Sequence, residues 1–278
     1  MWNRSVFHDL VAPPAIGMIH LLPLPGSPGW GGDMETVLAA ALADARALAE
    51  GGLKAVMMEN YHDVPFHPGQ APPETVAGVT AAAMLVRREF PDLHLGINVL
   101  RNDVVSALGV AAAVGARFVR VNVHTGAAVT DQGTIQGQAW RTLRRRRELG
   151  ADRVAILADL RVKHARPLVE RPLAEEVSDL RSRGLADGVI VSGVATGAGA
   201  DPAEAAMVRE ALPEGPILVG SGTTAENVGA FLPAADGFII GSSLQEPDPV
   251  TGRRKVSAAR TAAFVAALKT ATEKDTWQ

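Results

Sequence analysis

The chain has 278 residues, 47% hydrophobic and 21% charged, so it can bury a large core and is not expected to be disordered. Its formal net charge of −3 lacks the basic excess of a protein that lives on nucleic-acid backbone, and the absence of cysteine excludes disulfides, thiolate nucleophiles and thiolate metal sites. No apolar run approaches the ~20 residues that cross a bilayer. Met1 to Leu10 carries Arg4, His8 and Asp9 in place of a signal's apolar stretch, so a cytoplasmic protein without nucleic-acid partner or membrane insertion is expected.

Taken in chain order, short apolar runs alternate with Ala-rich helical stretches. Ala15–Leu21 precedes a helix over Asp33–Glu50, Ala55–Asn60 one over Pro73–Phe90, and Leu95–Leu100 one over Asp103–Val114. Phe118–Val123 leads to Ile135–Leu149, Val154–Leu160 to Leu173–Arg183, and Gly188–Ser192 to Pro202–Leu212. Pro216–Gly220 and Gly237–Gly241 lead to Ala225–Phe231 and Val256–Thr270. Eight strand–helix pairs are the alternation of parallel βαβ units. Helix starts carry cap acceptors at Asp33, Asp103 and Asp201, the last followed by Pro202 at the first helical position.

An open doubly wound sheet places its Gly-rich loop after the first strand. Here the Gly-rich turns follow the last strands, which predicts a (β/α)8 TIM barrel of the phosphate-binding kind, one domain over residues 1–278. Gly126–Gly137 and Tyr61–Pro73 are expected to be long loops at the carboxyl end of the barrel.

The seventh run enters Gly220-Ser221-Gly222-Thr223-Thr224 and the eighth enters Gly241-Ser242-Ser243. Glycine lets backbone amides approach an anion and hydroxyls add donors, and barrel enzymes often hold phosphate with these two loops. Gly220, Ser221, Gly222, Gly241, Ser242 and Ser243 are therefore the expected phosphate site, although tight βα turns alone would also call for these glycines. Ser192 and Thr196, after the sixth strand, complete that cradle, cover the ligand, or belong to a flexible turn.

Polar residues gather where the strands end. His20, Glu59, Asn60 and Asn98 close the first three, while Arg120, Asn122 and His124 share one parity on the fourth. Asp159, Arg161 and Lys163 share one on the fifth, with His164 next along. Any one of them has a structural reading as an ion-paired or half-buried group; so many at one rim of an apolar barrel would be costly without a purpose. Glu59, Asp159, His20 and His124 are candidates for acid–base work. Lys163 serves either as a Schiff-base amine or as an anchor for an anion. Asn60, Asn98, Arg120, Asn122, Arg161, His164, Ser192 and Thr196 are expected to bind substrate. The spacing matches no compact metal motif, so neither metal nor cofactor is expected. The run Arg144–Arg147 reads as the exposed face of a helix.

At these residues the chain resembles the BtpA/SgcQ family. The resemblance rests on Gly17-Met18-Ile19-His20-Leu21-Leu22-Pro23-Leu24-Pro25-Gly26-Ser27-Pro28, on Glu59-Asn60-Tyr61-His62-Asp63-Val64-Pro65-Phe66, and on segments out to Val219-Gly220-Ser221-Gly222. It implies a phosphate-binding barrel but no particular reaction: the family takes its name from a factor needed for photosystem I accumulation, and other members look like enzymes encoded beside sugar-uptake genes. Many relatives would carry a lysine after the small-residue turn of the last strand, where this chain has Gln245. The expected ligand is a small phosphorylated metabolite and the expected state a homo-oligomer. The expected activity is cleavage or formation of a glycosidic bond, or isomerisation, on a phosphorylated sugar or nucleoside-like compound. The alternative is a non-catalytic assembly or regulatory protein that keeps the ligand-binding barrel.

Overall fold

The computed structural model describes residues 15–193, 199–249 and 252–275. Eight strands close into a barrel: β1 (Ala15–His20), β2 (Ala55–Glu59), β3 (His94–Asn98), β4 (Phe118–Val121), β5 (Ala155–Asp159), β6 (Gly188–Val191), β7 (Ile217–Val219) and β8 (Gly237–Ile240). Each runs parallel to the next in sequence, and β1 closes on β8 with Ala15 opposite Phe238 and Gly17 opposite Ile240. The closed parallel barrel with helices between its strands is the TIM-barrel architecture that the alternation predicts.

Strands buried on both faces read as unbroken apolar runs, and strand alternation then sorts their side chains into two cores. Ile16, Met18, Met57, Phe118, Leu157, Ile190, Leu218 and Ile239 form a cluster inside the barrel. Their alternates, such as Ile19, Val56, Ile97 and Val119, pack outward under the helices. Each large side chain so buried contributes roughly 1.5–3 kcal/mol. Gly96 is required by this arrangement: a Cβ there would sit 1.9 Å from the Phe118 ring, which fills the interior opposite it.

The outer layer comprises α1 (Met34–Glu50), α2 (Pro73–Glu89), α3 (Val104–Val114), α4 (Ala139–Glu148), α5 (Leu173–Ser178, continued by a π turn to Arg183), α6 (Pro202–Ala211) and α7 (Ala258–Asp275). Asp33, Asp103 and Asp201 accept from first-turn amides as expected.

Three segments depart from the expected elements. Gly126–Gly137 is not a loop: Ala127–Thr130 and Gly133–Gln136 form a hairpin, and Ala165–Pro167 adds a third antiparallel strand. Gly133 turns the hairpin at φ 96°, and Ala128 and Ile135 bury against Val123 and Val162 in a small core of their own. The helix expected from Ile135 therefore starts only at Ala139. The helix expected at Ala225–Phe231 is a single 3-10 turn, Val228–Phe231. After β8 a 3-10 turn at Ser242–Leu244 leads into a second hairpin, in which Gln245 pairs with Val256 and Pro247 with Arg254. Val256 belongs to that hairpin and not to α7.

Candidate functional site

Parity carries the interior face up to the carboxyl rim. The register sets His20 opposite Glu59 and Glu59 opposite Asn98, so the three share a layer. Arg120 lies two residues above Phe118, Asp159 two above Leu157, and Ser192 two above Ile190. On β7 and β8 the equivalent positions are Gly220 and Gly241, two above Leu218 and Ile239. Polar groups thus occupy one arc of the rim and bare backbone the other.

Asp159 is the most heavily bonded group of the polar arc. Its Oδ2 accepts from Arg120 Nε at 2.9 Å and Asn122 Nδ2 at 2.9 Å. Its Oδ1 accepts from Arg120 Nη2 at 2.8 Å and Ser192 Oγ at 3.0 Å. Four donors fill the four acceptor sites of a carboxylate, so a proton can be added only by breaking one of these bonds. Asn122 spends its amide N–H on Asp159, which orients its Oδ1 the other way; that oxygen is buried and has no hydrogen-bond partner among the described residues.

Glu59 is held differently. Its Oε2 accepts one bond, from Asn98 Nδ2 at 2.5 Å, and its Oε1 lies 4.0 Å from His20 Nε2. Burial pushes the Glu59 carboxyl above the usual range, against the attraction of Arg120. His20 stacks on Tyr61 with ring centroids 4.3 Å apart. Burial, aided by His62, Lys163 and Arg120, drops the His20 imidazole to about 3, so it is neutral at physiological pH.

Lys163 returns to this cluster on the segment after β5. Burial and Arg120 lower its ammonium pKa, while Asp159 and Glu59 oppose that shift. Its carbonyl accepts from Arg101 Nη2 at 2.6 Å. Arg101, itself buried, is a further cation here, from the loop after β3, where strand alternation does not point to it. Tyr61 and Arg254 also face this cluster without a sequence signal of their own, and Gln245, which stands where many relatives would carry a lysine, joins it from the hairpin after β8.

On the glycine arc the loops after β7 and β8 lie side by side, tied by Ser243 Oγ donating to the Thr223 carbonyl at 2.8 Å. Gly222 has φ 66°, and a Cβ there would meet Gly199 Cα at 2.2 Å. The loop after β6 is thereby pressed onto that after β7, where Ala200 N donates to the Ser221 carbonyl. Among the described residues the amides of Gly222, Thr223, Ser242 and Ser243 have no hydrogen-bond acceptor. Thr223 Oγ1 is buried without a partner.

Several expected site residues sit elsewhere. β4 ends at Val121, so parity fails beyond Asn122: His124 turns its Nε2 to the Gly184 carbonyl at 2.8 Å, at the end of the π turn. Arg161 lies past the end of β5 and pairs outward with Glu176 of α5 at 2.9 Å. His164 is exposed, with φ 56°. Asn60 ties the loops after β2 and β3, donating to Asp63 and accepting from Leu100 N, and Asp63 in turn accepts from Leu24 N of the loop after β1. Thr196 lies outside the described residues. Among the described residues, no three His, Asp or Glu side chains converge as metal ligands, and no helix is long and apolar enough to cross a membrane.

Comparison with solved structures supports the architecture. The native KDPGal structure matches with a TM-score of 0.59 and 15% identity over 94% of this chain and 96% of that one. N-(5'-phosphoribosyl)anthranilate isomerase from Pyrococcus furiosus matches with a TM-score of 0.55 and 13% identity, over 92% and 98%. At such identities the likeness is one of fold. In sequence, the photosystem I biogenesis protein BtpA of Synechocystis is 44% identical over 257 residues, 92% of this chain and 88% of the relative. The family's sequence model matches residues 12–270, and with that relative it establishes that the chain belongs to the BtpA family.

Proposed function

We propose that this barrel is an enzyme acting on a small phosphorylated sugar or nucleoside-like metabolite, with Glu59 as the acid–base group. The observation that carries the reading is the division of the rim. One arc holds a carboxyl whose proton affinity is raised by burial; the other replaces side chains by Gly220 and Gly241 beneath two adjoining loops with unaccepted amides. A dianion over Gly222, Thr223, Ser242 and Ser243 would receive those amides and the Thr223 hydroxyl. The rest of the molecule would then lie across the lumen towards Glu59.

Of the two carboxylates, Glu59 suits proton transfer and Asp159 does not. Asp159 is saturated and serves to aim Arg120, Asn122 and Ser192 at the ligand. Glu59 has one strong donor and a carboxyl whose proton affinity is raised by burial, so it can hold a proton and deliver it to a leaving or carbonyl oxygen. Asn122 Oδ1 asks for a hydroxyl or N–H from the ligand, as a sugar would provide. Lys163 and Arg101 add positive charge. Breaking or making a glycosidic bond and isomerising a sugar both need this acid beside an anion anchor. The phosphoribosyl substrate named for one structural neighbour is in keeping with that class.

The test is a thermal-shift screen of sugar phosphates, nucleotides and inorganic phosphate, followed by turnover assays of hits with the wild type and Glu59→Gln. A ligand at a hundred times its Kd stabilises by about 2.7 kcal/mol. Glu59→Gln is expected to keep that shift and lose roughly 10²–10⁴-fold in kcat. Wild-type activity should fall as pH rises through the raised Glu59 pKa. If no phosphorylated compound raises Tm, the reading is wrong. The name of the Synechocystis relative favours a second reading, a non-catalytic assembly or regulatory protein with the same ligand site. It predicts the thermal shift with no turnover in either form.

A further inference from the structure

The rim contains a chain of side chains that the acid–base reading leaves unused. Gln245 is buried on the hairpin after β8, and its Nε2 lies 3.3 Å from His20 Nδ1. An amide nitrogen can only donate, so this contact is a hydrogen bond only when Nδ1 is bare. Either end of an isolated Gln245 amide could face the imidazole, and Arg254 resolves the choice. From two positions along the hairpin register, its Nε points to Gln245 Oε1 at 3.4 Å, and its Nη2 donates to the carbonyls of Gln245 at 3.1 Å and Ser242 at 2.9 Å. A guanidinium has only donors, so the amide oxygen must face it and the amide N–H₂ must face His20.

We propose that Gln245, oriented by Arg254, is a positioning residue that fixes His20 as the neutral tautomer with its proton on Nε2, and thereby makes His20 a hydrogen-bond donor to the ligand. Three features agree. Nε2 is the ring nitrogen that faces the Glu59 carboxyl, 4.0 Å from Oε1, which favours an N–H there. The ring itself is held by the stacked Tyr61, with centroids 4.3 Å apart. The charged groups that face His20, namely His62, Lys163 and Arg120, together with its burial, disfavour the imidazolium and leave one proton to place.

The consequence bears on what is bound. A neutral Nε2–H next to Glu59 presents two groups to the same ligand atom: one to hydrogen-bond it and one to protonate it. The ligand must therefore offer an oxygen acceptor, a carbonyl or a glycosidic oxygen, at the β1–β2 side of the mouth. Across the lumen, the bare Asn122 Oδ1 requires a donor. The mouth thus selects a phosphorylated compound with an acceptor oxygen at one end and a hydroxyl or N–H at the other. That ligand assignment rests on the function proposed above; the tautomer does not.

The experiment reads the tautomer in the ligand-free full chain, so it stands or falls separately from the phosphate screen. Histidine side-chain ¹⁵N NMR, with His20 assigned by loss of its signals in His20→Gln, is expected to show a bare Nδ1 and a protonated Nε2 from pH 5 to pH 8. Gln245→Glu replaces the donor by an acceptor and should move the proton to Nδ1 or charge the ring. Gln245→Lys restores a donor and should keep the wild-type pattern. Arg254→Ala frees the amide and should give a mixture of tautomers. Thermal melts of each variant show that the folded protein is being read, and Arg254→Ala, at an exposed position, secures the test where a buried substitution unfolds the chain. A wild-type His20 protonated on Nδ1, or a pattern unmoved in both Gln245→Glu and Arg254→Ala, overturns the proposal.

Discussion

The two arcs of the rim are built by opposite means. From β1 to β6 the rim is made of side chains locked to one another: Asp159 accepts four bonds, and Glu59, Asn98 and His20 sit in direct register. On β7 and β8 it is made of backbone, with Gly220 and Gly241 at the rim, the loops after β6 and β7 pressed together where Gly199 meets Gly222, and that after β8 tied on by Ser243. Side-chain networks give chemistry with defined protonation, at the cost of desolvating charge. Backbone cradles give anion recognition whose donors never titrate. A single barrel can therefore vary its reaction on one arc while holding the same anionic handle on the other.

Substitutions that break one arc and spare the other sharpen this contrast. The largest effect is expected from Asp159→Asn. It removes the charge opposite the buried Arg120 and sets an amide where four donors converge, so stability should fall by about 3–5 kcal/mol in urea titrations. Ligand binding and turnover should fall together, unlike the split expected for Glu59→Gln. If Asp159→Asn keeps its stability and loses only turnover, Asp159 is the proton-transfer group and the assignment of the two carboxylates is reversed.

Gly241→Ala probes the other arc. The new methyl would stand 3.5 Å from His20 Cε1 and from Met18, ordinary contact distances, so folding should be preserved. It would also narrow the space beside the loops. Affinity for a phosphorylated hit should drop about tenfold, roughly 1.4 kcal/mol, by titration calorimetry. Unchanged affinity would move the anion site away from β8.

The smallest effect concerns what anchors the glycine arc from behind. Asp44 of α1 accepts from Val256 N on the hairpin after β8 at 2.9 Å, and burial raises its carboxyl to about 6. A carboxyl whose folded pKa lies above its unfolded value costs stability as pH rises between the two, because the folded state binds more protons. Stability should fall by ~1 kcal/mol between pH 5 and 7 on this account. Asp44→Asn should remove that part of the slope in paired melts; an identical slope in both proteins would discount Asp44.

The barrel and much of the polar arc were legible in the sequence because alternation along a regular strand is a local rule. Glu59, Asn98 and Asp159 end their strands on the interior parity that the apolar residues below them announce. The same rule misled once the strands stopped. His124 and Arg161 lie beyond β4 and β5, where successive residues no longer alternate, and both turn away from the mouth. The hairpin at Ala127–Gln136 was read as a loop because glycines at both ends hid two short strands, whose third partner lies some thirty residues on. Gln245 stands out in the sequence only as the residue in a lysine's place; its contact with His20 joins segments remote in sequence, and no local spacing encodes it or the reach of Arg254 to Ser242.

Phe118 gives the architecture a further meaning. Its ring lies against Gly96 of the neighbouring strand, buried like the large side chains around it, and helps to stopper the tube just beneath Arg120. A molecule reaching Glu59 must enter and leave by the same doorway. Everything under the stopper answers only to folding, so alterations on the amino side should be felt as melting temperature, and those above it as selectivity and rate.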